Sequence, residues 1–566
     1  MSGTATIESK VKRASNATIL DKAISYISPA AAVSRIKNRM LFAAFSDSAY
    51  EGASRLKRAL RTWFPALGSA NTDLNTATRQ SLIARSRDAY RNQPLAKAII
   101  MRSSDSAIGD GLILQARVDW KTLGITEEEA AAFEDLIESE FSAYANSAEC
   151  DAERTLNFYQ QQYLAFASAL SSGDCFALTP YIRRPGNIYE MKVQMIEADR
   201  VCNEGNAGNT AQLFDGVEYD TYGAPVQYHI CRAHPGDIVV NSEKNFTWDQ
   251  VPAFGANTGR RRVIHVYWKE RPGQSRGIPI LTPILEPLKQ LSRYTESELM
   301  ATVISSFFTV FIKSDAPDMG LGETDPLNTN SGNSDGSTNE NPDRPSMELG
   351  SGKVVELFPG EDISTANPGR PNTAFDGFVM AVLKQIGAGV GIPIEEILLC
   401  YTGSYSAARA AMLQAWKMYK TRRKWFATQF CQVIYENWFD EAVARGRIVA
   451  PGYGDPRKRI AYTGADWRGP ARGAIDETDE ITAAQKRVDM GVSSISIEAA
   501  ELKGVDSRDI HRQRVREHTD RVRDGLEAPV LNAAAREVIT PAPTAPSKTQ
   551  QERQREKLQD KEGAIK

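Results

Sequence analysis

The chain has 566 residues, 42% hydrophobic and 25% charged, an ordinary globular balance that implies about three or four domains. These proportions exclude a wholly disordered, collagen-like or disulfide-scaffold protein. Its 68 Lys and Arg face 71 Asp and Glu, a formal net charge of -3, which also excludes a protein that grips nucleic acid over its whole surface.

Residues 1–45 alternate small and basic residues without sustained periodicity and read as a flexible arm. The first thirteen residues hold no apolar run of the kind a secretory signal needs. YEGASRLKRALRTWFP (50–65) reads as a short basic helix ended by Pro65, and 71–75 as a turn-rich break. A helical pattern follows over 76–108 through Leu82, Tyr90, Leu95 and Ile99, with a break or kink expected at Pro94. GDGLILQARV then reads as a turn and a strand. Residues 125–147 predict an amphipathic helix with Ala132, Leu136, Ile137, Phe141 and Tyr144 on one face. Glu127, Glu128 and Glu129 suit its positive N-terminus. Between 175 and 270, FALTPYI, YEMKVQMI, VQYHICRA and RRVIHVYWK read as strands, so this half is α+β.

The second half reads as long helices. The first, 283–313, opens at Thr282-Pro283 and carries Leu288, Leu291, Thr295, Leu299, Val303, Phe307 and Val310 on its apolar face. Its most apolar run, 300–312, is shorter than the ~20 residues of a membrane span and reads as buried helix. The second, 373–387, carries Phe375, Phe378, Val382, Leu383 and Ile386 and is interrupted by GAGVGIP. The third, 406–445, would extend about 60 Å. Its stripe is Met412, Trp416, Tyr419, Phe426, Phe430 and Val433, with Arg423 interrupting. A helix longer than a small domain predicts packing against neighbours. Between the first two helices, 320–345 is Asn/Ser/Gly/Asp-rich with too few apolar residues to order itself. PAPTAPSKTQ and QERQREKLQDKEG form a Pro-rich linker and a charged tail.

Catalytic motifs mostly fail. Gly350-Ser351-Gly352-Lys353 lacks the distal glycine and the Ser/Thr of a phosphate loop, since those positions are Met347 and Val354. Gly273-Gln274-Ser275-Arg276-Gly277 matches the pattern of a hydrolase nucleophile elbow at Ser275. The prolines around it, and the lack of any downstream histidine except His511 and His518, favour a plain loop. His229, Cys231 and His234 lack a fourth metal ligand, and none of the six cysteines forms a CxxC pair, a pattern that fits folding in a reducing cytoplasm. Asp476, Glu477, Asp479 and Glu480 read as complements to a helix N-terminus. Arg85, Arg87 and Arg91 read as a solvated face. Lys417, Lys420, Arg422, Arg423 and Lys424 read either way, because Trp416, Tyr419 and Trp425 interleave with them as in nucleic-acid binders. Neither a metal nor another cofactor is expected, and no enzymatic activity.

An ordered series of stretches carries more than any one motif. It runs YEGASRLKRALRTW, LIARSRDAYRNQPLAKAII with IGDGLILQ, IEADRV, ERPGQSRGIPILTPILEPLKQLSRYTESELMA, ELFPGEDI, GAGVGIPIEEIL, SYSAARAAMLQAWKMYKTRR and ADWRGP. Over roughly 45–510 the chain resembles the lambda-type portal proteins of tailed bacteriophages. The resemblance implies a helix-rich α+β portal fold of wing, stem, clip and crown, assembling as a ring with a central channel.

By the resemblance, 1–45 is an arm, 46–285 the N-terminal region and α+β wing, and 286–313 the first stem helix. The clip region is 314–372, including 320–345, and the second stem helix is 373–399. A tunnel loop at 400–406 would present Tyr401, Thr402, Gly403, Ser404, Tyr405 and Ser406 to DNA. The long wing helix and following segment take 407–474, the crown 475–530 and the tail 531–566. The implied function is a conduit for double-stranded DNA at one capsid vertex during packaging and ejection. Implied partners are further copies in a dodecameric ring, the terminase large subunit, head–tail adaptor proteins, and major capsid and scaffold proteins, with no membrane. The implied location is the virion, after synthesis in the host cytoplasm. The loop holds no cation, which suits moving DNA, since each neutralised phosphate adds affinity. The competing readings are a non-conducting head or tail structural protein and a serine hydrolase acting through Ser275.

Overall fold

A computed structural model describes residues 16–45, 67–237, 246–306, 310–314, 361–365, 375–401, 404–473 and 477–526, with isolated positions between 58 and 65. The basic helix read at 50–65, the GSGK stretch, the 320–345 segment and the tail from 531 therefore lie outside the described residues.

Local capping chemistry sets the helices of the first half. Pro94 separates α3 (Thr76–Asn92) from α4 (Pro94–Ala107), because its ring suits the first position of a new helix but not the interior of an old one. Thr126 and Glu129 close a capping box on α5 (Glu127–Ala145), and Asn157 and Gln160 do so on α6 (Phe158–Ser172). The buried face of α5 is Ala130, Ile137, Phe141, Tyr144 and Ala145. Ala132 and Leu136, read as part of that face, are exposed, because the stripe is rotated toward Ala130.

Every ladder between named strands is antiparallel. β1 (Ile113–Ala116) pairs with β11 (Ala465–Arg468), tying two distant parts of the sequence together. A three-stranded sheet has the order β3 (Gln194–Ile196), β2 (Asp174–Leu178), β8 (Val263–Tyr267). A four-stranded sheet runs in chain order through β4 (Leu213–Phe214), β5 (Val217–Tyr219), β6 (Pro225–Cys231) and β7 (Trp248–Pro252). The fold is thus the helix-rich α+β class expected.

The stem reading needs corrections. A 3-10 turn at Thr282–Ile284 leads into α7 (Leu285–Ser306), and Val310–Ser314 is not helix but strand β9, paired with β10 (Glu361–Thr365). β-branched and aromatic residues in VFIKS favour the pleated form. The described start of the run read as buried helix is also not buried: Met300 is 56% and Val303 43% exposed. Only the first turns of α7 face the core, through Leu288 and Leu291. α8 (Phe375–Val390) continues through the GAGV glycines that were read as its break. Tyr294 of α7 stacks on Phe375 and meets Phe378 edge-on, with centroids 5.6 and 5.0 Å apart, so the two helices pair.

The forty-residue helix is present with a change of pitch. α10 (Tyr405–Phe426) passes through a π-turn at Ala427–Cys431 into α11 (Gln432–Ala444). α11 is buried along most of its length, and Phe141 touches Tyr435 and Trp438 in an aromatic cluster at the centre of the main core. Among its described side chains α10 buries only Ala415, Tyr419 and Phe426. The 1–45 region is likewise corrected within its described part. Ile19–Ile27 and Pro29–Phe45 are helices, held together where Arg35 and Arg39 meet the buried Asp21. The region read as crown contains helices at Glu477–Asp489, Ile495–Lys503 and Ser507–Arg523.

Candidate channel segment and the buried hub behind it

The segment 400–406 hangs between two helices. Ile394–Leu398, here α9, stops because Leu399 adopts a left-handed φ of +52°. Tyr401, Ser404 and Ser406 are exposed; Thr402 and Gly403 fall outside the described residues. Ser404 caps α10 by accepting the Ala407 N–H at 3.4 Å, and its hydroxyl lies 3.3 Å from that of Ser406. Tyr405 is the first residue of α10. From Leu399 to Ala408 no residue is cationic.

The base of this segment is fastened from both sides. Glu396 of α9 accepts hydrogen bonds from the Tyr419 hydroxyl at 2.9 Å and from Ser106 at 3.3 Å. Burial raises its carboxyl above the usual range, against the hydrogen bonds. Arg409 lies 3.5 Å from Glu480, which Arg472 also holds at 2.7 Å. Glu480 is therefore a buried ion-pair partner and not simply a complement to its helix N-terminus. Asp476 lies outside the described residues, and Glu477 pairs with Lys503 at 3.2 Å.

The basic run on α10 divides by use. Arg423 donates to the carbonyls of Ala107, Ser106 and Pro470 and lies over Trp416, 5.0 Å from the ring centroid. Burial pulls its guanidinium down to about 10. Arg422 donates to the Val390 carbonyl, and Lys420 pairs with Glu501 at 3.0 Å. Only Lys417 and Lys424 stay exposed without an ion-pair partner among the described residues. Of the other arginine set, Arg87 is not simply solvated: it contacts Asp199 and lies 3.1 Å from Glu197.

Away from this segment lies a buried hub that motif reading missed. Arg276, fully buried, meets Asp174 at 2.5 Å and donates to the carbonyls of Val201, Asp215 and Ala198. Burial by itself pushes the Asp174 carboxyl up; the Arg276 charge and a His265 hydrogen bond reverse this and hold it far below the carboxylate range. His265 is stacked between Phe176 and Tyr267, 4.2 Å from each, and burial lowers it to about 4. Asp215, whose carbonyl receives Arg276, accepts Arg79 of α3 at 2.7 Å through its carboxylate. Arg276 thus ties β2 to the loops at Ala198–Val201 and Asp215 and, through Asp215, to α3, and it fixes the loop that leads into α7. The signal was in the sequence as an arginine between two turn glycines, but the hydrolase pattern drew attention to its neighbour.

Ser275 itself is structural. Its hydroxyl accepts from the Asn71 amide at 2.8 Å and its N–H donates to Asn71 at 3.0 Å. Among the described residues it bonds to no histidine, and a loop, not a strand, leads into it. His229 turns to Glu204 at 3.1 Å, Cys231 is buried, and His234 sits with Glu197 and Asp199. The three do not converge, and Arg87 already neutralises the carboxylates beside His234. No described helix is long and apolar enough to cross a membrane.

Residues 56–423 match the model of the family "Phage portal protein, lambda family". The chain is 28% identical over 502 residues to "Portal protein B" of Escherichia phage lambda, covering 86% of this chain and 92% of that one. It is 28% identical over 494 residues to the "Portal protein" of Escherichia phage N15, covering 84% and 91%. Among solved structures, the neck of a native GTA particle computed with C12 symmetry aligns at 12% identity. It covers 76% of this chain and 94% of the other, with a TM-score of 0.39.

Proposed function

Given that the chain belongs to the lambda family of phage portal proteins, we propose that its copies form a closed ring, typically twelvefold, at one capsid vertex. The ring is a conduit for double-stranded DNA during packaging and ejection and has no catalytic role of its own. In this reading the sheets and α3–α6 are wing, α7 and α8 are stem, the stretch between them is clip, and the helices after Glu477 are crown. The clip would dock the terminase large subunit during packaging and head–tail adaptor proteins afterwards. Major capsid and scaffold proteins would surround the wing, and the assembled ring would be a virion component.

The observation that carries the reading is the family match over 56–423, which includes α7, α8 and α10 up to Arg423. Two features support a conduit. The cation-free run from Leu399 to Ala408 would let a polyanion slide without counterion-release affinity. α10 leaves much of its surface uncovered within one copy, as a helix packed by ring neighbours would.

The test is to shorten 402–406 and measure assembly and packaging separately. The reading expects intact rings with impaired DNA packaging or retention. Loss of the ring itself would remove the segment from the channel. Normal packaging would favour a head or tail protein whose loop does not meet DNA.

A further inference from the structure

Thr428 and Gln429, in the π-turn of the long helix, line two neighbouring cavities of about 970 and 890 Å³. Tyr267, Trp268 and Lys269 leave the end of β8 between them. Their side chains alternate, so that Tyr267 and Lys269 line the first cavity and Trp268 the second. The two cavities share Thr428 and Gln429 in their walls and are taken together as one groove beside the π-turn.

The groove has two kinds of lining that single copies rarely leave unused. The first is aromatic. Trp268 is 43% exposed and meets Trp425 edge-to-face at 5.4 Å. Phe254 is 41% exposed, with Arg261 over its face at 5.2 Å. The second is cationic. Arg261, Lys269 and Lys424 have no carboxylate at ion-pair distance among the described residues. The carboxylates that line the groove are occupied: Asp220 accepts the N–H groups of Tyr222 and Ala224, and Asp466 pairs with Arg117. Gln429 uses its carbonyl oxygen on the Tyr267 N–H and keeps its amide nitrogen free to donate.

We propose that this groove binds single-stranded nucleic acid, with a base on Trp268 and phosphates at Lys269, Arg261 and Lys424. Aromatic faces recognise any unpaired base, whereas a duplex hides its base faces and offers phosphates alone. An apolar peptide would leave the three cations unmatched. The groove is separate from the cation-free channel segment, so it does not depend on the conduit reading. It gives the wing a place to hold an unpaired strand while the duplex runs elsewhere.

The experiment uses the full chain in its assembled form. Anisotropy is read for a labelled oligothymidine of about 12 nucleotides and for a duplex of equal length, at two salt concentrations. The strand should bind at least about tenfold more tightly than the duplex, and Trp268→Ala should weaken it about tenfold. Lys269→Gln with Lys424→Gln should lower the salt slope by about 0.7 for each phosphate that is no longer neutralised. Photo-crosslinking through 5-iodouracil should label peptides around Trp268, and the variants should melt as the parent does. Equal binding of strand and duplex overturns the proposal. So does crosslinking confined to other regions, or an affinity untouched by Trp268→Ala. Absence of binding, as when a neighbouring copy or peptide fills the groove, overturns it as well.

Discussion

Asp174 and Arg276 face each other without access to water, the Arg276 Nε 2.5 Å and Nη2 3.2 Å from the two carboxylate oxygens. Three carbonyls occupy the remaining guanidinium donors, so neither charge has a solvent alternative. Removing one partner strands the other charge in the core. Arg276→Ala should cost about 3–5 kcal/mol of stability, read by denaturant unfolding. A loss below about 1 kcal/mol would show that water reaches the site.

The same hub sets a pH dependence. His265 is held at about 4 by burial, well below its ordinary 6.5. Between these values the unfolded chain takes up a proton that the folded chain refuses, so stability falls as pH drops through that window, by up to about 3 kcal/mol. Asp174 adds a second loss below its ordinary carboxylate range, because its folded form stays ionised there. His265→Phe should flatten the slope between pH 6.5 and 4 in thermal melts, while the lower limb persists in reduced form because Arg276 still holds Asp174 ionised. An unchanged slope would assign the window to other groups.

Gly277 and Gly173 touch through their backbones. A Cβ on Gly277 would lie 1.9 Å from the Gly173 carbonyl oxygen, and Gly173 has a φ of +90°, where L side chains are strained. Gly277→Ala should therefore reduce soluble yield or lower Tm sharply, more than Gly273→Ala, whose Cβ meets open space though its φ is also positive. Equal effects would mean that the close contact at Gly277 costs no more than the positive φ at Gly273.

Arg423 should behave as a structural residue. Arg423→Gln leaves the carbonyls of Ala107, Ser106 and Pro470 without their donor, at about 1–3 kcal/mol in total unfolding free energy. Its effect on oligonucleotide affinity should be small beside that of Lys424→Gln. The reverse order would return Arg423 to nucleic-acid contact.

How far the sequence reveals this molecule depends on the range of the interactions. The Pro94 break, the helix opened by Glu127–Glu129 and the strands through Phe176, Tyr228 and Val266 are set by neighbours a few residues away, and the local sequence shows them. The end of α7 is not, because pairing of Val310–Ser314 with Glu361–Thr365 spans a long insertion and overrides the helical pattern. The arm helices rest on Asp21 meeting Arg39 eighteen residues later, which composition does not signal. The proposed channel segment, 400–406, rests on the resemblance. The roles of Arg276 and Arg423 appear only in three dimensions, since each is satisfied by carbonyls from several distant segments.

The central claim is a ring with a channel. A cryo-electron microscopy reconstruction of the purified full chain tests it most directly. The account predicts a closed ring whose axial opening admits duplex DNA, with the segment after Leu399 at its narrowest part. Monomers or small dimers under all conditions, or a ring without an axial opening, would contradict it.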